Sequence, residues 1–204
     1  MENNIIIAIN SEYGSGGRII AKNLAEKLNI KFYDTNLITE LIKNDELNNE
    51  YFKEAETMSK SSIILSLSMF SPSKEIYGNS INEKLYNKQS QIIYNLINKN
   101  SCVVVGRYVD FISNNDKIVK IFINSLIENR IERVTKIYKE AEFNNHTKSL
   151  IKKIDKQRAH HYFHLTDKEW GKSNNFDICL NSDNIGIENC VDLIKNYIEN
   201  KKKE

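Results

Sequence analysis

Apolar residues in this chain form short continuous runs that alternate with longer stretches of helical periodicity. The first run, residues 5–9, consists almost entirely of isoleucine, which favours a strand buried on both faces. Three glycines follow it within four positions, and isoleucine and leucine then recur at helical spacing as far as Asn29. The beginning of the chain therefore predicts a strand, a glycine loop and an amphipathic helix, in that order.

Further apolar runs of the same kind predict additional strands. They cover residues 30–33, 102–105, 118–123 and 176–180. Helical patterns separate these runs; they include a basic helix after the fourth strand, a second one at residues 146–165 and a last helix at residues 187–200. Alternating strands and helices predict an α/β fold, a five-stranded parallel sheet with helices on both faces, which binds ligands at the carboxyl ends of its strands.

The long stretch between the second and third strands, residues 35–100, is mostly helical in pattern, with one break at residues 71–73. Its last part, residues 81–100, predicts a long amphipathic helix. The segment at residues 63–70 is more apolar than its neighbours and is compatible with a lid, a packing helix or a partner surface. The pattern does not choose between these three interpretations.

Length and composition narrow the class of protein. The chain has 204 residues, enough for a single domain with one sizeable core, and only seven glycines and one proline, which disfavours a turn-rich β-sandwich. A net charge of +2 is too small to predict nucleic-acid binding, and no apolar run approaches the ~18 residues of a membrane span. No signal peptide is recognisable, so we expect a cytoplasmic location.

Cysteine usage gives no sign of a metal site. The three cysteines share no metal-type spacing, which agrees with a reducing compartment. Two of them, Cys102 and Cys179, lie in apolar strand-like runs, so we expect both to pack in the core.

The glycine loop, residues 10–18, is the most informative motif. Glycine allows the unusual backbone angles that turn N–H groups toward an anion, and the following helix adds its positive N-terminus. A plain tight turn would need one glycine, whereas three in four positions, between a strand and a helix, favour phosphate binding. The predicted phosphate-binding residues are Gly14, Ser15, Gly16, Gly17 and Arg18.

Several segments from the first strand to the last helix resemble one known family. They are residues 7–18, 24–28, 32–34, 104–107, 155–158 and 176–182. On these segments the sequence resembles the cytidylate kinase-like branch of the P-loop nucleoside monophosphate kinases. The resemblance implies a three-layer P-loop fold and transfer of a phosphoryl group from ATP, with Mg²⁺, to a pyrimidine monophosphate. It also implies that residues 35–100 form an acceptor-binding insert and residues 144–172 a basic lid.

The glycine loop departs from the standard phosphate-loop pattern, G-x-x-x-x-G-K-S/T. Ser11 stands at the first glycine position, Gly17 at the lysine and Arg18 at the Mg²⁺-binding hydroxyl. Because the lysine neutralises the terminal phosphates, its absence removes a main source of electrostatic catalysis. Arg18 is the predicted replacement, with Lys22, one turn further along, as a weaker candidate.

Other family positions are altered as well. The acidic residue expected at the end of the third strand is missing, since Val105 precedes Gly106 and the nearest carboxylate is Asp110. The monophosphate-binding arginine expected after Asp34 is also missing, and Glu40 falls near its place. Ordinary kinase chemistry is therefore less well supported than the fold and phosphate binding.

The resemblance assigns roles to residues outside the loop. It implies that Arg130 and Arg158 join Arg18 as catalytic cations and that Arg107 and Asp177 bind the acceptor nucleotide. Asp34, at the end of the second strand, is a further acceptor-binding candidate. Mg²⁺ would arrive largely with the nucleotide, held through water, Asp34 or Ser15, and no protein metal site is predicted.

Each of these assignments has a plainer alternative. Arg107, Arg130 and the i,i+3 pair Asp155–Arg158 also fit solvated surface arginines with nearby acids. Asp34 and Asp177 also fit turn-capping residues. The spacing of His160 and His164 permits a metal site but lacks completing ligands, so polar lid residues are favoured, and Trp170 is expected to pack rather than stack on a base.

The leading hypothesis is a nucleotide kinase that uses ATP and a (d)CMP-like acceptor. Its expected partners are small nucleotides, with no nucleic acid and no membrane, and its oligomeric state is left open. One alternative is a nucleotide- or phosphate-binding protein without kinase activity, which the missing lysine motivates. Another is a kinase for a different small acceptor, because residues 35–100 match the family least.

Overall fold

The computed structural model describes residues 4–34, 94–95, 97, 99–106, 118–138 and 145–201. Its strands are β1 Ile6–Ser11, β2 Lys31–Tyr33, β3 Cys102–Val105, β4 Ile118–Asn124 and β5 Ile178–Asn181. Its α-helices are α1 Gly17–Leu28, α2 Ile127–Glu132, α3 Asn145–Thr166, α4 Ser182–Ile185 and α5 Ile187–Lys201. A π-helical turn, Arg133–Tyr138, continues α2, and a 3₁₀ turn, Ser173–Asn175, precedes β5.

The five strands form one parallel sheet in the order β2-β3-β1-β4-β5. The central strand β1 is isoleucine-rich on both faces because helices cover both, as the continuous apolar run predicts. On one face Ile7 and Ile9 pack with Leu24 of α1 and Ile194 of α5, all fully buried. Each such side chain contributes about 1.5–3 kcal/mol of hydrophobic stabilisation.

The opposite face of the sheet packs against α3. Phe122 of β4, whose neighbours Ile121 and Ile123 face α1 and α5, lies in a cluster with Tyr162 of α3 and with Phe176. The protein therefore has three layers, helix, sheet and helix, and the predicted five-stranded parallel α/β fold is confirmed.

Several predicted boundaries need correction. The fifth strand begins at Ile178 rather than at residue 176, because Phe176 is drawn into the aromatic cluster against Phe122 at a ring-centroid distance of 5.1 Å. The short helix α4 was not predicted. Cys179 is exposed, contrary to expectation, because β5 is an edge strand, whereas Cys102 is buried as expected.

Most of the predicted insert at residues 35–100, including the apolar segment 63–70, lies outside the described residues, as does Arg107. In the part of the chain that the structure does describe, no helix combines the length and apolar character needed to cross a bilayer.

Candidate functional site

The glycine loop connects the carboxyl end of the central strand to α1. Gly14 and Gly16 have φ values of 81° and 87°, a left-handed conformation that only glycine adopts without strain. Gly16 is the N-cap of α1 and provides no side-chain cap. Since the first N–H groups of a helix have no partners within it, they remain available to an anion here.

The loop is also packed too closely for side chains at two of its glycines. A Cβ on Gly14 would lie 2.9 Å from the carbonyl oxygen of Arg130, so this glycine lets the chain after β4 approach the loop. A Cβ on Gly17 would lie 2.5 Å from the hydroxyl oxygen of Ser11, across the base of the loop. The second contact links two positions at which this loop departs from the standard pattern.

Ser15 stabilises the conformation of the loop through two hydrogen bonds. Its hydroxyl is fully buried and donates a hydrogen bond to the carbonyl of Ile123 at 3.1 Å. The hydroxyl of Ser182, from α4, donates to the carbonyl of Ser15 at 2.6 Å. From the sequence, Ser15 is a candidate metal ligand. In the structure its hydroxyl instead donates a hydrogen bond to the Ile123 carbonyl, which is a structural role.

Arg130 lies beneath the loop and is almost completely buried. Its Nε donates to the carbonyl of Tyr13 at 2.8 Å, its Nη1 lies 3.2 Å from the carboxylate of Glu12, and its Nη2 pairs with Asp155 of α3. Only 6% of its side chain is exposed. Arg130 thus connects the loop, α2 and α3.

Two more guanidinium groups reach carbonyl oxygens of the loop. Arg133, at the start of the π-helical turn, donates to Gly14 at 2.6 Å and lies 3.9 Å from the carboxylate of Asp183. Arg158 of α3 donates from Nη1 to the carbonyl of Ser11 at 2.7 Å, with its Cζ 5.3 Å from the ring centroid of Tyr13. Together with Arg130 they concentrate positive charge around the loop, as binding of a polyphosphate requires.

Two carboxylates balance this charge within the site. The Tyr13 N–H donates to Asp155 at 2.8 Å, and the Ser125 N–H donates to Glu12 at 3.0 Å. Burial raises the pKa of both carboxyl groups, and the Arg130 guanidinium opposes that rise. The site thus has an anion, Asp155, bound to an N–H group of its own glycine loop.

Arg18 and Asp34, predicted for different parts of the site, are paired. The Nε of Arg18 donates to Asp34 Oδ2 at 2.7 Å, and its Nη2 lies 2.5 Å from the same oxygen. The Asp34 side chain is 7% exposed and that of Arg18 is 59% exposed, so the guanidinium remains open to a ligand. The pair lies between the first turn of α1 and the end of β2.

Other predicted site residues lie apart from the loop. Lys22 points from α1 into solvent, with Glu26 at 3.8 Å. Asp177 precedes β5 and exchanges hydrogen bonds with Lys120, its carboxylate accepting from the Lys120 N–H at 2.7 Å. Because all strands are parallel, the start of β5 is at the sheet edge opposite the loop, which corrects the expectation that Asp177 lies at the ligand edge.

Within the described ranges, no three His, Cys, Asp or Glu residues lie close enough together to hold a metal ion. His160 and His164 pack edge to face, with ring centroids 4.4 Å apart. We therefore assign no step of chemistry to a metal held by these residues.

An open pocket of about 410 Å³ lies beside the loop, at the carboxyl ends of β4 and β5. Its polar lining includes Glu12, Asn124 and Asn181, and its aromatic side is formed by Phe122 and Trp170. The two rings meet edge to face at 5.1 Å, which is the packing role expected for Trp170.

Sequence reasoning missed some residues of the site. Glu12 and Asp183 belong to the site through hydrogen bonds to Ser125, which is more than 50 positions away from each of them in the chain. A local sequence pattern cannot predict such contacts. Asn10, at the end of β1, is 1% exposed, and its amide atoms find no hydrogen-bond partner among the described residues. Its polarity within an otherwise apolar buried strand was the available signal.

The sheet order and the loop between β1 and α1 place this protein in the class of α/β proteins with the P-loop fold. Within that class, the chain belongs to the cytidylate kinase-like family, whose model matches residues 6–184. The predicted resemblance is therefore confirmed.

Several known proteins are similar to this chain over nearly all of its length. A cytidylate kinase from Methanosphaera stadtmanae is 26% identical over 198 residues, which cover 97% of this chain and 100% of that protein. The crystal structure of an uncharacterized protein from Eubacterium ventriosum has a TM-score of 0.69 at 26% identity, covering 96% of this chain and 99% of that one. A shikimate kinase from Bacteroides thetaiotaomicron shares the fold, with a TM-score of 0.52 at 15% identity over 96% of this chain and 98% of that one.

Proposed function

We propose that this protein is a nucleotide kinase that transfers the γ-phosphoryl group of ATP to a CMP-like monophosphate. One observation is the main support for the proposal: the guanidinium groups of Arg130, Arg133 and Arg158 surround the glycine loop. Family membership and a relative named cytidylate kinase support the nucleotide and the acceptor, respectively.

The reaction needs positioning and charge rather than a covalent nucleophile. An oxygen of the acceptor phosphate bonds to the γ-phosphorus, the bond to the β–γ bridging oxygen breaks, and ADP leaves. In this proposal, the N–H groups at the start of α1 bind the donor phosphates, and Arg133 and Arg158 neutralise their charge. Mg²⁺ bound to ATP would supply further neutralisation of the phosphate charge.

The acceptor side of the proposed site is at the end of β2. There Asp34 orients the guanidinium of Arg18, which is 59% exposed and available to the acceptor phosphate. We propose that Arg18 is therefore a cation for the transferring group and Asp34 its positioning residue. Arg107 stays a predicted acceptor ligand, outside the described residues.

The test is a thermal-shift panel of nucleoside mono- and triphosphates, followed by an ADP-release assay on the best acceptor. We expect stabilisation by ATP and CMP, and ADP release that depends on CMP. Stabilisation by ATP with no transfer to any monophosphate would contradict the kinase.

That second result would favour a nucleotide-binding protein without catalysis. Two observations support this alternative: Gly17 replaces the usual lysine, and the Asp155 carboxylate is bound to the Tyr13 N–H of the loop. Transfer to shikimate or another small acceptor, and not to CMP, would instead favour a kinase of different specificity.

A further inference from the structure

A carboxylate of the protein itself is bound to an N–H group of the glycine loop. Tyr13, in the middle of the loop, donates its backbone N–H to Oδ1 of Asp155 at 2.8 Å. Asp155 lies on α3, 142 positions further along the chain, so the tertiary fold brings this anion to the loop. A carboxylate oxygen and a phosphate oxygen accept the same charge-assisted hydrogen bond from a backbone N–H. Asp155 therefore binds the loop in the way that a phosphate group of a ligand would.

The second oxygen of this carboxylate is held by a buried cation. Oδ2 of Asp155 pairs with Nη2 of Arg130, whose Nε donates to the carbonyl of Tyr13. The Asp155 side chain is 17% exposed and that of Arg130 is 6% exposed, so water screens the pair only weakly. The carboxylate thus joins α3 to the loop through both of its oxygens.

Three charged groups act on the Asp155 carboxylate. Arg130 of α2 and Arg158, one turn further along α3, are cations, and Glu12 of the loop is a second anion. Burial raises the pKa of Asp155, and the two guanidinium groups oppose that rise. A polyphosphate on the loop would bring several more negative charges close to this carboxylate. Ligand phosphates and the Asp155 anion therefore compete for the same loop.

We infer that the contact between Asp155 and Tyr13 is autoinhibitory: the Asp155 carboxylate holds α3 on the glycine loop, and a polyphosphate must displace it from the Tyr13 N–H to bind there. The inference rests on the proposed function for its ligand, the triphosphate of the donor nucleotide. The measured affinity is then reduced by the fraction of molecules in which Asp155 is bound to the loop. Displacement also releases α3 from the loop, so that one contact links ligand binding to the position of this helix.

A purely structural role for Asp155 predicts the opposite effect on binding. If the carboxylate only oriented Arg130 and the loop, its removal would weaken phosphate binding, whereas removal of a competitor strengthens it. Asp155→Asn keeps the size of the side chain and removes its charge. In this variant Arg130 retains Glu12, 3.2 Å from its Nη1, and the carbonyl of Tyr13, so the cation stays in place.

Calorimetric titration with ATP and Mg²⁺ distinguishes the two roles. Asp155→Asn should lower the Kd for ATP by at least about fivefold, because a competing charge-assisted hydrogen bond is weakened. Asp155→Ala, which removes both carboxyl oxygens, should also lower it. The control Glu169→Gln alters a carboxylate that is 73% exposed and lies 3.4 Å from Lys172, and it should change the Kd by less than about twofold. A Kd equal to or above that of the wild type for the Asp155 variants would overturn the inference.

Acidification should remove the difference between the wild type and Asp155→Asn, because a protonated Asp155 no longer competes as an anion. Bound phosphates raise the pKa of this carboxyl above its value in the free protein, so the affinity of the wild type gains as pH falls through that interval. Glu12 and the phosphates of ATP titrate in both proteins. The ratio of the two Kd values, wild type over variant, should therefore fall toward 1, and a ratio that is constant or grows would overturn the inference.

The same proteins separate this inference from the proposed function. Tighter ATP binding by the Asp155 variants, without ADP release by the wild type on any monophosphate, would overturn the proposed function alone. CMP-dependent ADP release by the wild type, with equal Kd values for wild type and variants, would overturn the inference alone. Absence of ATP binding by the wild type and by both Asp155 variants would overturn both.

Discussion

Replacement of Arg130 by methionine should be the most damaging single change at the loop. The side chain is 6% exposed and contacts Glu12, Asp155 and the carbonyl of Tyr13. Methionine keeps much of the volume but removes the cation that the two partly buried carboxyl groups share. Breaking a buried ion pair in this way costs about 3–5 kcal/mol of unfolding free energy at neutral pH.

The loss should depend on pH, and its sign follows from the pKa shifts. Burial already raises the pKa of Glu12 and Asp155, and Arg130 is a group that lowers them, so its removal raises both further. A carboxyl whose pKa is higher in the folded than in the unfolded chain holds its proton more tightly when folded, so stability falls as pH rises through that interval. The loss of unfolding free energy caused by Arg130→Met should therefore become smaller on acidification, by up to about 1.4 kcal/mol per pH unit for each carboxyl.

Urea unfolding at a series of pH values, from neutral to mildly acidic, measures both effects. The matched control is Lys136→Met on the following turn, where the lysine is 70% exposed and pairs only with Glu132 among the ion pairs the structure describes. This control should change stability by less than about 1 kcal/mol. A deficit for Arg130→Met below about 1 kcal/mol, or one that grows as pH falls, would refute the buried-cluster reasoning.

Other changes test separate parts of the structure. Gly14→Ala should lower the free energy of unfolding by about 2 kcal/mol, since φ is +81° and the Cβ would lie 2.9 Å from a backbone oxygen; an unchanged urea midpoint would contradict this. Asn10→Leu should raise it by about 1–2 kcal/mol by removing an unpaired buried amide, and a loss of stability would show that the amide is satisfied. In labelling of the native protein read by peptide mass spectrometry, Cys179 should react first, because Cys102 is buried with its pKa raised to about 12; equal labelling would argue against the register of the sheet.

The sheet was predictable because its strands are buried on both faces. Continuous runs such as residues 102–105 are typical of that environment, and the structure has β3 at Cys102–Val105. The edge strand was harder to place. There Phe176 packs in an aromatic cluster and is not part of the strand, although it is as apolar as the strand residues that follow it.

The site was predictable where function requires an unusual local composition. Glycines at 14 and 16 have the left-handed angles that the loop needs. Pairings between distant segments were not predictable, because nothing in the sequence near Arg18 indicates that it faces Asp34, or that Arg158 reaches Ser11. The sequence identified Gly17 as the missing lysine, but only the structure places it against the serine that fills its space.

In the proposed reaction, a loop without its lysine still transfers a phosphoryl group, with charge supplied by Arg158. The most direct measurement is phosphorus NMR of the protein mixed with ATP, Mg²⁺ and CMP. We expect CDP and ADP to accumulate in equal amounts with the wild type, and at least about tenfold more slowly with Arg158→Ala. Unchanged CMP in the presence of bound ATP, or equal rates for the two proteins, would contradict it.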